Sequence, residues 1–294
     1  MTRVTENMLF SSLQDGISRA QNAVARRTRE VQTGRKVDRP SDNPAAAGRS
    51  LVFEASLRQL TAMGTVADRA EVELAGSATA LTQGSSILQR VMEIAVVGGT
   101  ESYSAADRQV MATEVEGLRQ ALVAAGNAKI GDTYVFGGLQ TATEPFLPDG
   151  TFVGDANARA VEVAPGEQVA MSGSGANAFT AAGGVDVMAL LNDLRTDLLA
   201  NDVVAIRGRI GTVSQAEEQV RLEQVQVGFA QQRLLSATTE RTALSKALET
   251  SRQKATDVDA ATSYVNLTQA QQALEASISA AKQIMAALEK TSTL

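Results

Sequence analysis

The feature that most constrains this chain is a long run of apolar and small residues spaced alternately three and four apart. An α-helix turns once in 3.6 residues, so this spacing places the whole run on one helix face and is typical of a coiled-coil seam. At a rise of ~1.5 Å per residue the predicted helix would be about 60 Å long, a length suited to a rod. The positions of the seam are Leu57, Leu60, Gly64, Ala67, Glu71, Leu74, Ala78, Leu81, Ser85, Leu88, Met92 and Ala95.

A second seam of the same spacing runs from Val213 to Leu248. Four seam positions are polar, and we expect them to set helix register, with Glu71 or Glu223 as a candidate ion-pair partner of Arg241 or of another base. The fourth polar position is Ser85.

Both ends of the chain carry weaker apolar stripes that contain much alanine. A helix of this kind is marginal alone in water, so we expect the stripes to be completed by neighbouring copies. Residues 1–33 have a net charge of +2 and residues 257–294 a net charge of −2, which favours pairing of the two ends. The candidate assembly residues are Leu13, Ile17, Ala20, Val24 and Val31, then Leu267, Leu274, Ile278, Ala281, Met285 and Leu288.

Local signals predict where the helices begin and end. Gly34 is placed to end the first helix, because glycine readily takes the left-handed conformation found just past a helix end. Asn43 followed by Pro44 predicts an N-cap and the first helical residue of the long helix. Gly98-Gly99 predicts the end of that helix, and Ser104 with Asp107 resembles a capping box opening a helix over 104–129.

Residues 132–184 differ from the rest of the chain. They hold five of the ten aromatic residues and six acids against the single base Arg159. Short alternating runs at 160–163 and 168–171 predict strands. We therefore expect a small, acidic, β-rich insert with its own core between long helices.

Composition excludes several functions. The absence of Cys and His removes the usual zinc ligands and disulfides, and we expect no cofactor or metal. A net charge of −6 argues against nucleic acid as the main partner. No apolar run is long enough to span a membrane, and the first residues do not read as a cleaved secretory signal. Export by a route without a cleaved signal remains open.

Three patterns could indicate binding or catalysis, and each has a plainer interpretation. Neighbouring acids such as Glu114 and Glu116 face different sides of a helix, which favours solvated surface over a catalytic pair. The run 173–178 fits a glycine-rich phosphate loop but lacks a βαβ unit. Arg26, Arg27 and Arg29 have no interleaved aromatics and are interpreted as a helix face rather than a site for nucleic acid or lipid.

A fourth candidate site is the aromatic pair Tyr134 and Phe136, which could form a ligand platform. Filling the core of a small domain is the favoured interpretation, because large aromatics dominate such cores.

Three stretches resemble the family of flagellins and flagellar hook-associated proteins. Residues 33–51, TGRKVDRPSDNPAAAGRSL, resemble the turn after the first helix of that family. Residues 127–146, NAKIGDTYVFGGLQTATEPF, are similar to a segment of the members that join hook to filament, and residues 263–285 resemble the shared terminal helix. The motif positions are Arg39, Pro40, Ser41, Asp42 and Pro44, then Tyr134, Phe136, Gly137, Gly138, Pro145 and Phe146.

The resemblance implies a mainly α fold, with a long antiparallel helical bundle or coiled-coil rod formed by the two ends of the chain and a small β-rich insert. It implies terminal assembly helices at 1–35 and 257–294, a rod at 36–131 and 185–256, and an outward insert at 132–184.

It also implies a non-enzymatic, extracellular structural subunit of the flagellum, exported unfolded. Its partners would be other copies in a ring, the preceding hook-associated protein, flagellin and an export chaperone. The alternatives are flagellin itself and a coiled-coil scaffold unrelated to flagella.

Overall fold

The chain is mainly helical, as predicted. The computed structural model describes residues 2–292, with the side chains of residue 8 and of residues 10–287. Two long helices, α2 and α6, dominate the described part, and two small antiparallel sheets lie between them along the chain. The elements are α1 (Thr2–Thr33), α2 (Pro44–Gly98), α3 (Ala105–Gly126), β1 (Lys129–Ile130), β2 (Thr133–Tyr134), β3 (Ala160–Ala164), β4 (Glu167–Ala170), α4 (Gly175–Phe179), a short 3-10 helix (Ala181–Gly183), α5 (Val187–Leu199), α6 (Val203–Thr256) and α7 (Ala260–Ser292).

The predicted helix ends are confirmed. Gly34 follows α1 with φ of +68°, and its N–H donates to the Glu30 carbonyl at 2.9 Å. The Asn43 side chain accepts from the Ala46 N–H at 3.0 Å, so Asn43 caps α2. Ser104 and Asp107 form a reciprocal capping box at the start of α3. These ends depend on contacts within four residues, which is why the local sequence predicts them.

The described chain forms two compact units. One consists of Met1–Gln59 with Leu244–Leu294, and the other of Leu60–Ala243. Because α2 and α6 cross these limits, each contributes residues to both units. The predicted division at residues 35/36, 131/132, 184/185 and 256/257 concerns roles in assembly and stays a prediction.

The core of the second unit is built on the predicted seams. Leu74, Leu81 and Leu88 of α2 are fully buried, and so are Val213 and Val220 of α6. Leucines of α5 complete the same continuous apolar cluster, and α5 also packs against α3. The three-four spacing therefore marked the buried face of both long helices in this unit.

The prediction that the insert has its own core is wrong. Phe136 and Phe179 lie edge to face at 5.6 Å, and Phe146 lies 5.9 Å from Phe179, all three fully buried. This cluster packs onto two helices at glycines, Gly84 of α2 and Gly126 of α3. Two sheets of two strands each cannot enclose a core, so the aromatic rings are buried against the helices instead.

Buried polar side chains hold the turns of this unit to its helices. The Gln219 amide donates to the carbonyls of Ala178, Thr180 and Val185 at 3.1–3.2 Å and accepts from the Val185 N–H at 2.8 Å. It therefore satisfies the Ala178 and Val185 carbonyls and the Val185 N–H, and it shares the Thr180 carbonyl with the Gly183 N–H.

Arg108 has a similar role at another turn. It is 3% exposed and donates to the carbonyls of Gly98, Thr100 and Tyr103 and to Oδ1 of Asn201 at 2.5–2.9 Å. Asn201 follows α5 with φ of +54°. The guanidinium thus fixes the α2–α3 turn to the α5–α6 turn.

Candidate functional site

The predicted assembly stripes of α1 and α7 face each other within one chain. The two helices contact each other, so the predicted pairing of the chain ends is confirmed. The stripe residues with described side chains are only partly buried, and Met285 is exposed. Leu288 lies outside the described side chains.

The described part of this helix pair has no fully buried apolar core. No apolar side chain among residues 8, 10–33 and 260–287 is fully buried. Phe10, Leu13 and Ile17 of α1, with Ala281 and Met285 of α7, instead line an open groove of about 360 Å³. Burial of apolar surface contributes ~25 cal/mol for each Å² removed from water. A stripe that stays partly exposed to solvent therefore gains only part of this stabilisation.

Further large apolar side chains on these helices point into solvent. Met8, Phe10, Tyr264 and Val265 are each more than half exposed. Phe10 and Tyr264 are missing from the predicted set although each precedes a stripe residue by three, Phe10 before Leu13 and Tyr264 before Leu267. Extending the same spacing by one turn would have found both. A surface this apolar is typical of an interaction site.

The first motif forms an exposed turn between α1 and α2. Arg39, Pro40, Ser41, Asp42 and Pro44 are all exposed. Oδ2 of Asp42 accepts from the backbone N–H of Arg39 at 2.8 Å and of residue 38 at 3.2 Å. The hydrogen bond from the Arg39 N–H lowers the pKa of Asp42 below its usual value, which keeps the carboxylate charged and the turn closed.

The turn is hydrogen-bonded to the end of α6 and to the segment that joins α6 to α7. The N–H groups of Lys36 and Val37 donate to the Thr256 carbonyl at 2.8 and 3.3 Å, and the Val258 N–H donates to the Gly34 carbonyl at 3.0 Å. These bonds bring the start of α7 beside the end of α1. The motif therefore positions the terminal helices.

The second motif builds the fold of the other unit. Phe136 and Phe146 are core residues, so core filling is confirmed for Phe136. Gly138 has φ of +65°, and a Cβ there would lie 2.0 Å from the carbonyl oxygen of Asp155. A Cβ at Gly137 would lie 2.5 Å from the Gln140 oxygen. Glycine is required at both positions because the backbone turns back on itself there.

The remaining motif residues also make structural contacts. Tyr134 is half-buried, with the Lys129 ammonium 5.2 Å from its ring and Glu144 accepting from its hydroxyl at 3.3 Å. The Pro145 carbonyl accepts from the Val153 N–H at 2.8 Å. These contacts leave Tyr134 and Phe136 without a shared open face for a ligand.

Asn127 was not singled out from the sequence although it opens the quoted 127–146 stretch. Its amide accepts from the Phe146 N–H at 2.9 Å and donates to the Phe146 carbonyl at 2.8 Å. This pair of bonds joins the end of α3 to the aromatic cluster.

The carboxylates considered for catalysis have structural partners. Glu116 accepts from Arg119, and Glu114 pairs with Arg90 at 2.6 Å. Hydrogen bonds from Arg119 hold the pKa of Glu116 at about 2. Such pairing favours the charged form and fits a surface ion pair.

Another acid of α2, Glu73, is buried, with 2% of its surface exposed. It accepts from Arg69 at 2.8 Å and from Arg159, which lies just before β3. It therefore ties the insert to α2.

The phosphate-loop pattern at 173–178 is also structural. Strands β3 and β4 are antiparallel, so no βαβ unit exists there, and Oε1 of Glu223 accepts from the Ser174 N–H at 2.5 Å. A carboxylate occupies the position that a phosphate would need. The hypothesis of an ion pair between Arg241 and Glu71 or Glu223 is wrong, because within residues 2–292 none of the three forms an ion pair.

Residues 2–292 contain no group of three or more acidic side chains arranged to hold a metal ion. Among the helices in this range, none has a stretch both long and apolar enough to cross a membrane.

Comparison with known proteins identifies the family. Residues 4–141 match the bacterial flagellin N-terminal helical region, and residues 210–289 match the bacterial flagellin C-terminal helical region, which together span well over half of the chain. The chain is 27% identical over 145 residues to flagellar hook-associated protein 3 of Salmonella typhimurium, covering 49% of this chain and 46% of that protein. The Escherichia coli protein of the same name is 28% identical over 156 residues, covering 52% and 49%.

The fold agrees with a solved relative. A Vibrio parahaemolyticus protein described as a flagellar hook-associated protein superposes with a TM-score of 0.67 at 18% identity, over 74% of this chain and all of that one. The matches define the class as a helical protein that contains the N- and C-terminal helical regions of bacterial flagellin. Within that class, the chain belongs to the family of flagellins and flagellar hook-associated proteins. It spans about half the length of the curated relatives it matches.

Proposed function

We propose that this chain forms the junction between hook and filament of the flagellum. It assembles as a ring of copies through α1 and α7 after export as an unfolded chain without a cleaved signal. Its partners are the preceding hook-associated protein on the hook side, flagellin on the filament side and an export chaperone, and its location is outside the cell. The family and the names of the curated relatives support this proposal.

The observation that carries the proposal is that the α1–α7 pair leaves much of its apolar surface exposed. Its apolar stripes are half-buried by each other, and Met8, Phe10, Tyr264 and Val265 remain in solvent. Neighbouring copies would bury this surface, and many copies in a ring would multiply a weak contact into a stable one. The candidate assembly residues are the stripe residues of both helices together with Phe10.

Two variants and a control test the role of this surface. Phe10→Ser and Val265→Ser, at side chains 55% and 56% exposed, should fold normally and fail to restore filaments to cells that lack the gene. Val204→Ser, at a side chain 79% exposed on α6, should restore filaments fully. Full restoration by both terminal variants would refute assembly through this surface.

Deletion of the gene tests the junction role itself. Cells without the chain should carry hooks without filaments and release flagellin into the medium, as seen by electron microscopy and immunoblotting. The alternative is flagellin, favoured by the match to both flagellin regions. If purified protein grows long filaments from seeds, the chain is the filament subunit and the junction proposal fails.

A further inference from the structure

A polar groove lies within the unit formed by Leu60–Ala243. It runs between α6 and the segment that follows β4, and its volume is about 450 Å³. Its lining includes Ser172, Asn177, Glu223, Gln226, Phe229 and Arg233. Neither the aromatic core nor the terminal helix pair uses it. A concave site with a few convergent polar groups is the usual form of a ligand site.

Glu223 is the buried charged group of the groove. It is 8% exposed, and its Oε1 accepts from the Ser174 N–H at 2.5 Å. Within the described chain Oε2 has no hydrogen-bond partner, so it is free to bind a ligand in the groove. Burial raises the pKa of Glu223, partly opposed by the hydrogen bond from Ser174. A buried carboxyl with a raised pKa in a cleft is a recognised mark of a binding site.

Phe229 supplies an apolar face at the same groove. Its side chain is 61% exposed, whereas the seam residues Val227 and Leu234 of the same helix are buried. The ring is therefore not part of the helical core. The face of an aromatic ring is electron-rich and attracts the positively polarised C–H groups of a ligand that stacks on it.

The charges around the groove restrict the ligand to a neutral molecule. Glu223 would repel an anion. Arg233 would repel a cation, and it is held in place by Glu167, whose Oε1 accepts from Nη2 at 2.7 Å. Hydroxyl and amide side chains can both donate and accept hydrogen bonds, which suits a ligand with many hydroxyls.

We propose that this groove binds a neutral oligosaccharide. One pyranose ring stacks on Phe229, and its hydroxyls form hydrogen bonds with Glu223, Asn177 and Gln226. Sugars combine an apolar C–H face with a rim of hydroxyls, which matches an aromatic ring beside carboxyl and amide groups. This inference does not depend on the role of the chain in the flagellum.

The test is calorimetric titration of the full-length chain with two neutral probes, N-acetylchitohexaose and maltohexaose. At least one should bind saturably, and the stronger of the two identifies the sugar type. Phe229→Ala should weaken binding about 2- to 10-fold, the usual scale for a lost stacking contact. Leu235→Ala is the matched control, because Leu235 is also 61% exposed on α6 but does not line the groove, and it should bind as the parent does.

Three results would overturn the inference. The first is the absence of binding by both sugars at ~10 mM, a concentration at which even millimolar affinity is visible. The second is equal binding by the Phe229→Ala and Leu235→Ala variants. The third is loss of self-association in the Phe229→Ala variant by sedimentation, without sugar binding by the parent, which would make the groove a contact between copies.

Discussion

The substitution Gly126→Ala tests whether the aromatic cluster is built directly on α3. Gly126 is the last residue of α3, and a Cβ there would lie 2.7 Å from Cδ2 and 2.9 Å from Cε2 of Phe146. Phe146 cannot move away easily, since it is fully buried and packs at 5.0 Å from Phe152. Asn127 also fixes both of its backbone polar groups. The added methyl group must therefore displace packed atoms.

The sign of the change in unfolding free energy distinguishes this clash from a change in helix propensity. Overpacking a dense core costs about 1–3 kcal/mol of unfolding free energy. The control Gly117→Ala lies in the same helix with no atom near its Cβ position, and it should gain about 0.5–1 kcal/mol. The unfolding free energies of the two variants should therefore differ by about 1.5–4 kcal/mol, with opposite signs relative to the parent.

The assay is differential scanning calorimetry of the full chain, with circular dichroism to confirm helix content. At about 2–4 °C per kcal/mol for a unit of this size, the melting temperatures should differ by about 3–16 °C. Equal or higher stability of the Gly126→Ala variant would refute the packing of Phe146 against α3. An insert with a separate core would then be the better description.

Three further variants test other contacts. Glu116→Gln should cost about 1 kcal/mol at neutral pH. The pKa of Glu116 is lowered from 4.5 to about 2 by Arg119, so its contribution is full above about pH 4.5 and is lost towards pH 2. The unfolding free energies of parent and variant, measured in urea, should converge towards pH 2. A difference that stays constant with pH would contradict this. Gln219→Leu leaves the Ala178 and Val185 carbonyls and the Val185 N–H without their amide partner and should cost about 3 kcal/mol by urea unfolding, whereas a neutral result would show that water replaces the amide. Asn127→Ala should cost about 2 kcal/mol and Asn127→Asp, which keeps an acceptor for the Phe146 N–H, about half as much in the same assay; equal losses would show that the acceptor contributes nothing.

The sequence by itself determined the helices, their ends and the terminal stripes. Helix signals are local, because the seam spacing and the caps at Asn43 and Ser104 act within one or two turns. The stripe from Leu13 and the stripe from Leu267 were read the same way, and the motifs at 33–51 and 127–146 indicated the family. Their role in assembly stays a prediction, since it concerns contacts with other copies.

Only the tertiary structure decided which faces meet and what satisfies the buried polar groups. The expected core of the insert became a shared core, because the chain brings Phe146 and Phe179 onto glycines of α2 and α3. Glu223 sits at a seam position like its apolar neighbours, yet it caps the turn at Ser174, 49 residues earlier. Periodicity shows that a face is buried, but the partner across that face depends on the packing of the whole chain. Contacts between residues this far apart in sequence leave no local pattern to read.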